Sequence, residues 1–188
     1  MALELGLALV GLAMVAVIIK QRVTIRTQRF EIERLATTDP LTKLINRRGF
    51  DNLLDREVER AQRSDKFPSL IFMDVAGFTE INNQQGRSMG DDVLGRVAGA
   101  IRSAIRFEID VPCRYGNDEF MVMLPETPGA QAQKVIERVQ ELLKSQHIIL
   151  GIGIVECQRG WSAEVFLHHV GQDMFKHNQV KSAPAKNS

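Results

Sequence analysis

Asp118 and Glu119 stand side by side after the dipeptide Gly116-Asn117, between a short extended run ending at Tyr115 and the apolar run Phe120-Met121-Val122-Met123-Leu124. Adjacent carboxylates at a hairpin tip repel each other and bury nothing, so a cation or a reacting group gives them a purpose. A solvated tip is the plain alternative, since acids are common in turns. A third carboxylate, Asp74, closes the apolar run Leu70-Ile71-Phe72-Met73. With that run as a strand beside the hairpin, three acids share one sheet edge and must bind cations or lose charge. Their hard oxygens suit Mg²⁺ or Mn²⁺, which fill the rest of their shell with water and phosphate. Two such ions can activate a hydroxyl and neutralise a pyrophosphate leaving group, so nucleotidyl transfer is the chemistry this trio supports.

After Asp74 comes a polar stretch from Phe78 to Asp91 that includes Thr79, Ile81-Asn82-Asn83, Gly86 and Gly90. Its amides, glycines and terminal acid read as a pocket. Guanine's Watson–Crick edge offers two adjacent donors and one acceptor, which an Asp carboxylate and an Asn amide can match. Taken alone, Asn82 reads equally as a turn amide and Asp91 as a helix N-terminal charge.

The elements that must position these groups follow from periodicity. Asp39-Pro40 reads as an N-cap and first helical position, with Phe50, Leu53, Leu54 and Val58 continuing at helical spacing to about Arg63. A buried strand runs from Pro68 to Asp74 and a helix starts at about Gly90. The hairpin has strands near 111–115 and 119–124. A helix near 129–145, a strand over 148–155 and a helix over 162–180 complete the order. Strand, helix, hairpin, helix, strand predicts an α+β fold, a ferredoxin-like or polymerase-palm-like antiparallel sheet covered by helices on one face.

The 188 residues hold one domain with a core plus an appendage. A net charge of +1, without a basic stripe, argues against nucleic acid as a partner. Cys113 and Cys157 have no metal-type spacing with the four histidines and read as reduced, buried thiols. His168-His169 and Trp161 read as surface and core-edge residues, because neighbours on a helix diverge too far to share an ion. From Ala2 to Ile19 the chain is apolar apart from Glu4. Such a segment spans roughly 27 Å as a helix, just short of a hydrocarbon core. With Lys20, Arg22, Arg26 and Arg29 behind it, residues 1–19 predict a single-pass anchor in the inner (cytoplasmic) membrane, with the domain in the cytoplasm. Residues 20–38 predict a helical linker whose Ile25, Ile32 and Leu35 fit a coiled-coil seam spoiled by Gln28, and 181–188 a disordered tail.

The ordered motifs Asp39-Pro40-Leu41-Thr42-Lys43-Leu44-Ile45-Asn46-Arg47-Arg48, Asp74 with Phe78 and Ile81-Asn82, Gly86 with Gly90-Asp91, and Arg114-Tyr115-Gly116-Asn117-Asp118-Glu119-Phe120 resemble the GGDEF domain of the diguanylate cyclase family over about 37–180. The resemblance implies condensation of two GTP into cyclic di-GMP, in bacterial signalling, across a homodimer formed through the domain and the N-terminal helix. It implies Mg²⁺ or Mn²⁺ on Asp74, the Val75 carbonyl, Asp118 and Glu119. Asp118 and Glu119 take the catalytic role, and Asn82, Asp91 and Phe78 contact the nucleotide.

Departures fall on the phosphate side. Asn117 replaces the signature's second glycine, a change that Asn's tolerance of positive φ accommodates. Thr79, Asn178 and Ser182 stand where the family carries cations, with Lys176 or Lys181 as partial substitutes. Lost cations cost rate, so a weak cyclase and an inactive module that binds GTP or a signalling protein both stand, alongside a scaffold without nucleotide. In the family's inhibitory product site Asp110 is in place, but Phe107 holds the arginine position. Phe107 reads as a packing residue and Arg106 as aimed elsewhere.

Overall fold

The computed structural model describes residues 14, 18–22 and 37–182, the stretch 177–182 as helix without side chains. After a turn over Thr37–Leu44 come β1 (Ile45–Asn46), α1 (Arg47–Ser64), β2 (Ser69–Val75), α2 (Phe78–Gln85), α3 (Arg87–Ala104), β3 (Val111–Arg114), β4 (Glu119–Leu124), α4 (Gly129–Lys144), β5 (Leu150–Glu156) and α5 (Ala163–Ser182). The strands form one sheet in the order β1-β3-β4-β2-β5.

The sheet is mixed, which corrects the expectation of an all-antiparallel one. β2, β3, β4 and β5 pair antiparallel, but β1 runs parallel to β3, Ile45 opposite Cys113. The reason lies in the turn before it. Asp39 does not start a helix; its carboxylate accepts from the Thr42 N–H and hydroxyl, both at 2.7 Å. Lys43 then takes a positive φ of 60°, which ends the turn and sends the chain out as a strand. The helix begins later, with Asn46 as N-cap accepting from Gly49 N–H at 3.0 Å.

Helices cover both faces, which corrects the one-sided expectation. Ile71, Met73, Val75, Phe120, Val122 and Leu124 face a core filled by Val93, Leu94, Val97 and Ile101 of α3 and by Val135, Ile136, Val139 and Leu143 of α4. Leu70, Phe72, Met121 and Met123 face a second core filled by Phe50, Leu54 and Val58 of α1 and Phe166 and Val170 of α5. β2 and β4 are apolar at consecutive positions because both of their faces are covered. Each of the fully buried Phe50, Phe120 and Phe166 contributes about 2 kcal/mol of burial. Gly153 is required where α5 crosses β5, since a Cβ there would overlap the backbone of Val170 and Met174.

The polar stretch after Asp74 is a helix hairpin, not a loop. Gly77 (φ 71°) opens α2, and Gly86 (φ 86°) both ends α2 and begins α3. Cys113 and Cys157 are both buried free thiols. Trp161 stacks on His169 with ring centroids 4.3 Å apart.

Among the described residues no helix is long and apolar enough to cross a membrane. The single-pass anchor and the inner-membrane location are corrected accordingly. The apolar run of that segment is short for a hydrocarbon core. Most of 1–19, the seam positions Ile25, Ile32 and Leu35, and the tail from 183 lie outside the described residues.

Candidate metal and nucleotide site

β2 and β4 are neighbours in register, and their ends bring the acids together. Asp74 lies directly opposite Glu119, and Val75 N–H donates to the Asp118 carbonyl at 3.2 Å. Neighbouring strands lie about 4.8 Å apart, so Asp74, the Val75 carbonyl, Asp118 and Glu119 share one sheet edge. Oδ1 of Asp74 is buried and accepts no hydrogen bond. A buried carboxylate oxygen without a partner costs free energy that a cation would return. Burial pushes the Glu119 carboxyl above the usual carboxylate range, and the nearby charges of Asp118 and Asp74 push it further, with Arg47 opposing. Among the described residues no three acidic, His or Cys side chains converge tightly enough to cage an ion as they stand. The donor types, all hard oxygens with one orphaned, fit Mg²⁺ or Mn²⁺.

The turn between β3 and β4 is held without strain. Neither Gly116 nor Asn117 has a positive φ, so Asn117 needs no special tolerance and the reasoning from positive φ does not apply. Gly116 is needed for a different reason: Glu119 folds its carboxylate back over the turn, into the space a Cβ at 116 would take. Arg114 fastens the turn from below. One end of its guanidinium donates to the Asn117 carbonyl at 2.7 Å, and the other lies 3.3 Å from Asp39. Burial tends to raise the Asp39 carboxyl, but hydrogen bonds from Thr42 and the charge of Arg114 bring it below the usual range. Arg102 donates to the Thr42 carbonyl at 2.7 Å and secures the same turn from α3. Sequence reasoning used Arg114 only as a motif letter. The signal available was a cation one strand away from a turn acid.

Arg47, first residue of α1, has its guanidinium 4.6 Å from the centre of the Tyr115 ring and 3.7 Å from Asp51. It is a cation whose charge reaches Glu119, and sequence reasoning missed it. On the proposed phosphate side, Thr79 and Lys176 are exposed.

The hairpin of α2 and α3 supplies the amide and acid of the proposed base contact. Asn82 sits against Gly90, where any Cβ would overlap its Oδ1, and Asp91 follows, exposed, in α3. Gly90 thus lets α3 approach the Asn82 amide closely, with Asp91 the next residue along. Phe78 is 5% exposed and packs into the core with Val93 and Leu94. At the other end of the sheet, Asp110 is buried and bound by Arg106, whereas Phe107 is 88% exposed. The expectation that Phe107 packs is therefore wrong: the ion pair turns the loop so that its aromatic ring faces solvent.

A split β-α-β-β-α-β sheet with acids at the β2 end and at the β3–β4 turn defines a palm-like α+β domain. The chain belongs to the GGDEF diguanylate cyclase family: the model "Diguanylate cyclase, GGDEF domain" matches residues 36–179. It is 42% identical over 106 residues to the response regulator PleD of Caulobacter vibrioides, covering 56% of this chain and 23% of that protein. It is 30% identical over 154 residues to the bifunctional diguanylate cyclase/cyclic di-GMP phosphodiesterase MucR of Pseudomonas aeruginosa, covering 75% of this chain and 22% of that one. Among solved structures, the diguanylate cyclase SiaD of Pseudomonas aeruginosa, in complex with its activator SiaC, superposes with a TM-score of 0.73 at 28% identity. The match covers 90% of this chain and 68% of that one. The chain spans under a quarter of the length of these curated relatives. The domain is thus a module of the GGDEF type.

Proposed function

We propose that the domain binds GTP at the α2–α3 hairpin and condenses two GTP into cyclic di-GMP at a reduced rate, with two copies facing each other. The observation that carries this reading is the buried, unpartnered Oδ1 of Asp74 beside Glu119 and Asp118. Asp74, the Val75 carbonyl, Asp118 and Glu119 would hold Mg²⁺ or Mn²⁺, which supplies Lewis acidity and charge neutralisation at the phosphates. Asn82 and Asp91 read the guanine edge, and Phe78 fixes the separation of the helices that carry them. The ribose 3′-oxygen of each GTP attacks the α-phosphorus of the other, so two phosphodiester bonds form and two bonds to pyrophosphate break. Glu119, on the same edge, would take the hydroxyl proton. The reduced rate follows from Thr79, Asn178 and Ser182, none of which brings a charge to the triphosphate. Incubation of the full chain with GTP and Mn²⁺, read by chromatography, yields slow cyclic di-GMP formation that Asp118→Asn abolishes. Its absence at every protein concentration ends this reading.

The same three positions favour a second reading, an inactive module that binds GTP as a signal. Calorimetry then gives a GTP affinity lost in Asp91→Ala with no turnover, and flat calorimetry ends this reading as well.

A further inference from the structure

The loop between α3 and β3 holds two large apolar side chains in solvent, Phe107 at 88% and Ile109 at 51% exposure. The loop itself is tightly held. Asp110, 6% exposed, accepts from the Arg106 backbone N–H at 2.7 Å and from its Nε at 3.0 Å. Nη2 of Arg106 also donates to the Thr127 hydroxyl at 3.0 Å and to the Pro125 carbonyl at 3.2 Å, tying the loop to the start of α4. An apolar side chain presented on a fixed support loses little freedom when covered, which is how preorganised contacts gain affinity. Beside the loop lies a cavity of about 290 Å³ with Leu124 and Val135 in its floor and Lys134 and Arg138, one turn apart on α4, at its rim. Among the described residues neither cation makes an ion pair. Asp110 is already neutralised by Arg106, so with Glu108 on the loop the rim keeps a surplus of positive charge.

We propose that this surface docks an acidic peptide segment of a partner protein, whose apolar side chain covers Phe107 and Ile109 and whose carboxylates meet Lys134 and Arg138. Charge complementarity selects this occupant. A second copy meeting the patch with its own would set Lys134 and Arg138 against themselves. The surface is independent of the nucleotide site.

The test is fluorescence anisotropy of the full chain with a fluorescein-labelled peptide of alternating Glu and Asp around a Leu-Trp pair. Saturable binding is expected, weakened about tenfold by Phe107→Ser and similarly by Lys134→Gln with Arg138→Gln. Binding is also expected to weaken with added salt and to be unchanged in Asp91→Ala. These exposed substitutions leave the core intact, and unchanged thermal midpoints check that. Absence of saturable binding, or equal binding by all variants, overturns the proposal. So does self-association by sedimentation that Phe107→Ser abolishes, which assigns the patch to a second copy, and so does displacement of the peptide by cyclic di-GMP. Loss of GTP binding in Asp91→Ala with peptide binding retained separates this surface from the nucleotide reading.

Discussion

Asp110 and Asp74 are both aspartates at strand ends of the same sheet, and their surroundings are opposite. Asp110 is held by the backbone and side chain of Arg106, so its charge is matched and its loop is fixed. Asp74 has an orphaned buried oxygen, faces Glu119 across the ladder, and lies by Asp118. A matched carboxylate stabilises the fold, whereas an unmatched one costs free energy that the proposed cation would return. The residue type is identical; the supply of a counter-charge separates structure from function.

Four substitutions break or sharpen this contrast, in falling order of effect. Asp74→Ala removes a proposed metal ligand, so Mn²⁺-dependent GTP turnover falls by about a hundredfold or more while the thermal midpoint holds or rises. A large drop in stability would make Asp74 another Asp110. Asp110→Ala does the reverse: it leaves Arg106 without its partner and costs about 2 kcal/mol in urea unfolding, with Mn²⁺ and GTP affinity unchanged. Gly116→Ala introduces no backbone strain but displaces the Glu119 carboxylate, so Mn²⁺ affinity by electron paramagnetic resonance drops about tenfold with a stability change under about 1 kcal/mol. The smallest effect belongs to Asp39→Asn, about 1 kcal/mol at neutral pH, discounted for partial exposure. Asp39 has its folded pKa below its unfolded value. Its contribution is therefore full above the unfolded pKa and lost as pH falls through the folded pKa. The gap between wild type and Asp39→Asn in urea titrations closes below about pH 4. A gap that widened in acid would reverse the assigned sign.

The sequence carried the strands, the amphipathic helices and the acidic edge, because period, apolar runs and turn chemistry are local signals. What it hid depends on partners distant in the chain. The parallel partner of β1 lies beyond four intervening elements. The second helical layer is written only in the double-sided apolarity of β2 and β4, which one-sided alternation does not reveal. The expectation of an N-cap at Asp39 fails because the positive φ at Lys43, which ends the turn before Asn46, has no signature in the local sequence. The α2 helix was hidden by its polarity, since Phe78 is its one buried residue. Within the site the acids were legible as residues, but the roles of Arg114 and Arg47 required knowing which side chains the fold brings to the turn. Phe107 was misread because an aromatic beside a structured loop is usually buried, and here Arg106 claims the inward position.

The two-residue pairing of β1 with β3 has a kinetic consequence. It joins Ile45 to Cys113 across a long loop of chain, so it closes at high entropic cost with little ladder to hold it. Such a seam forms late and opens early. Cys113 is fully buried, and burial, with help from Asp51 and Asp39, pushes its thiol far up and keeps it inert while the seam is shut. In a Cys157→Ser background the rate of thiol labelling therefore times each opening, and the molecule carries its own clock for how often the strand leading into its acidic turn comes loose.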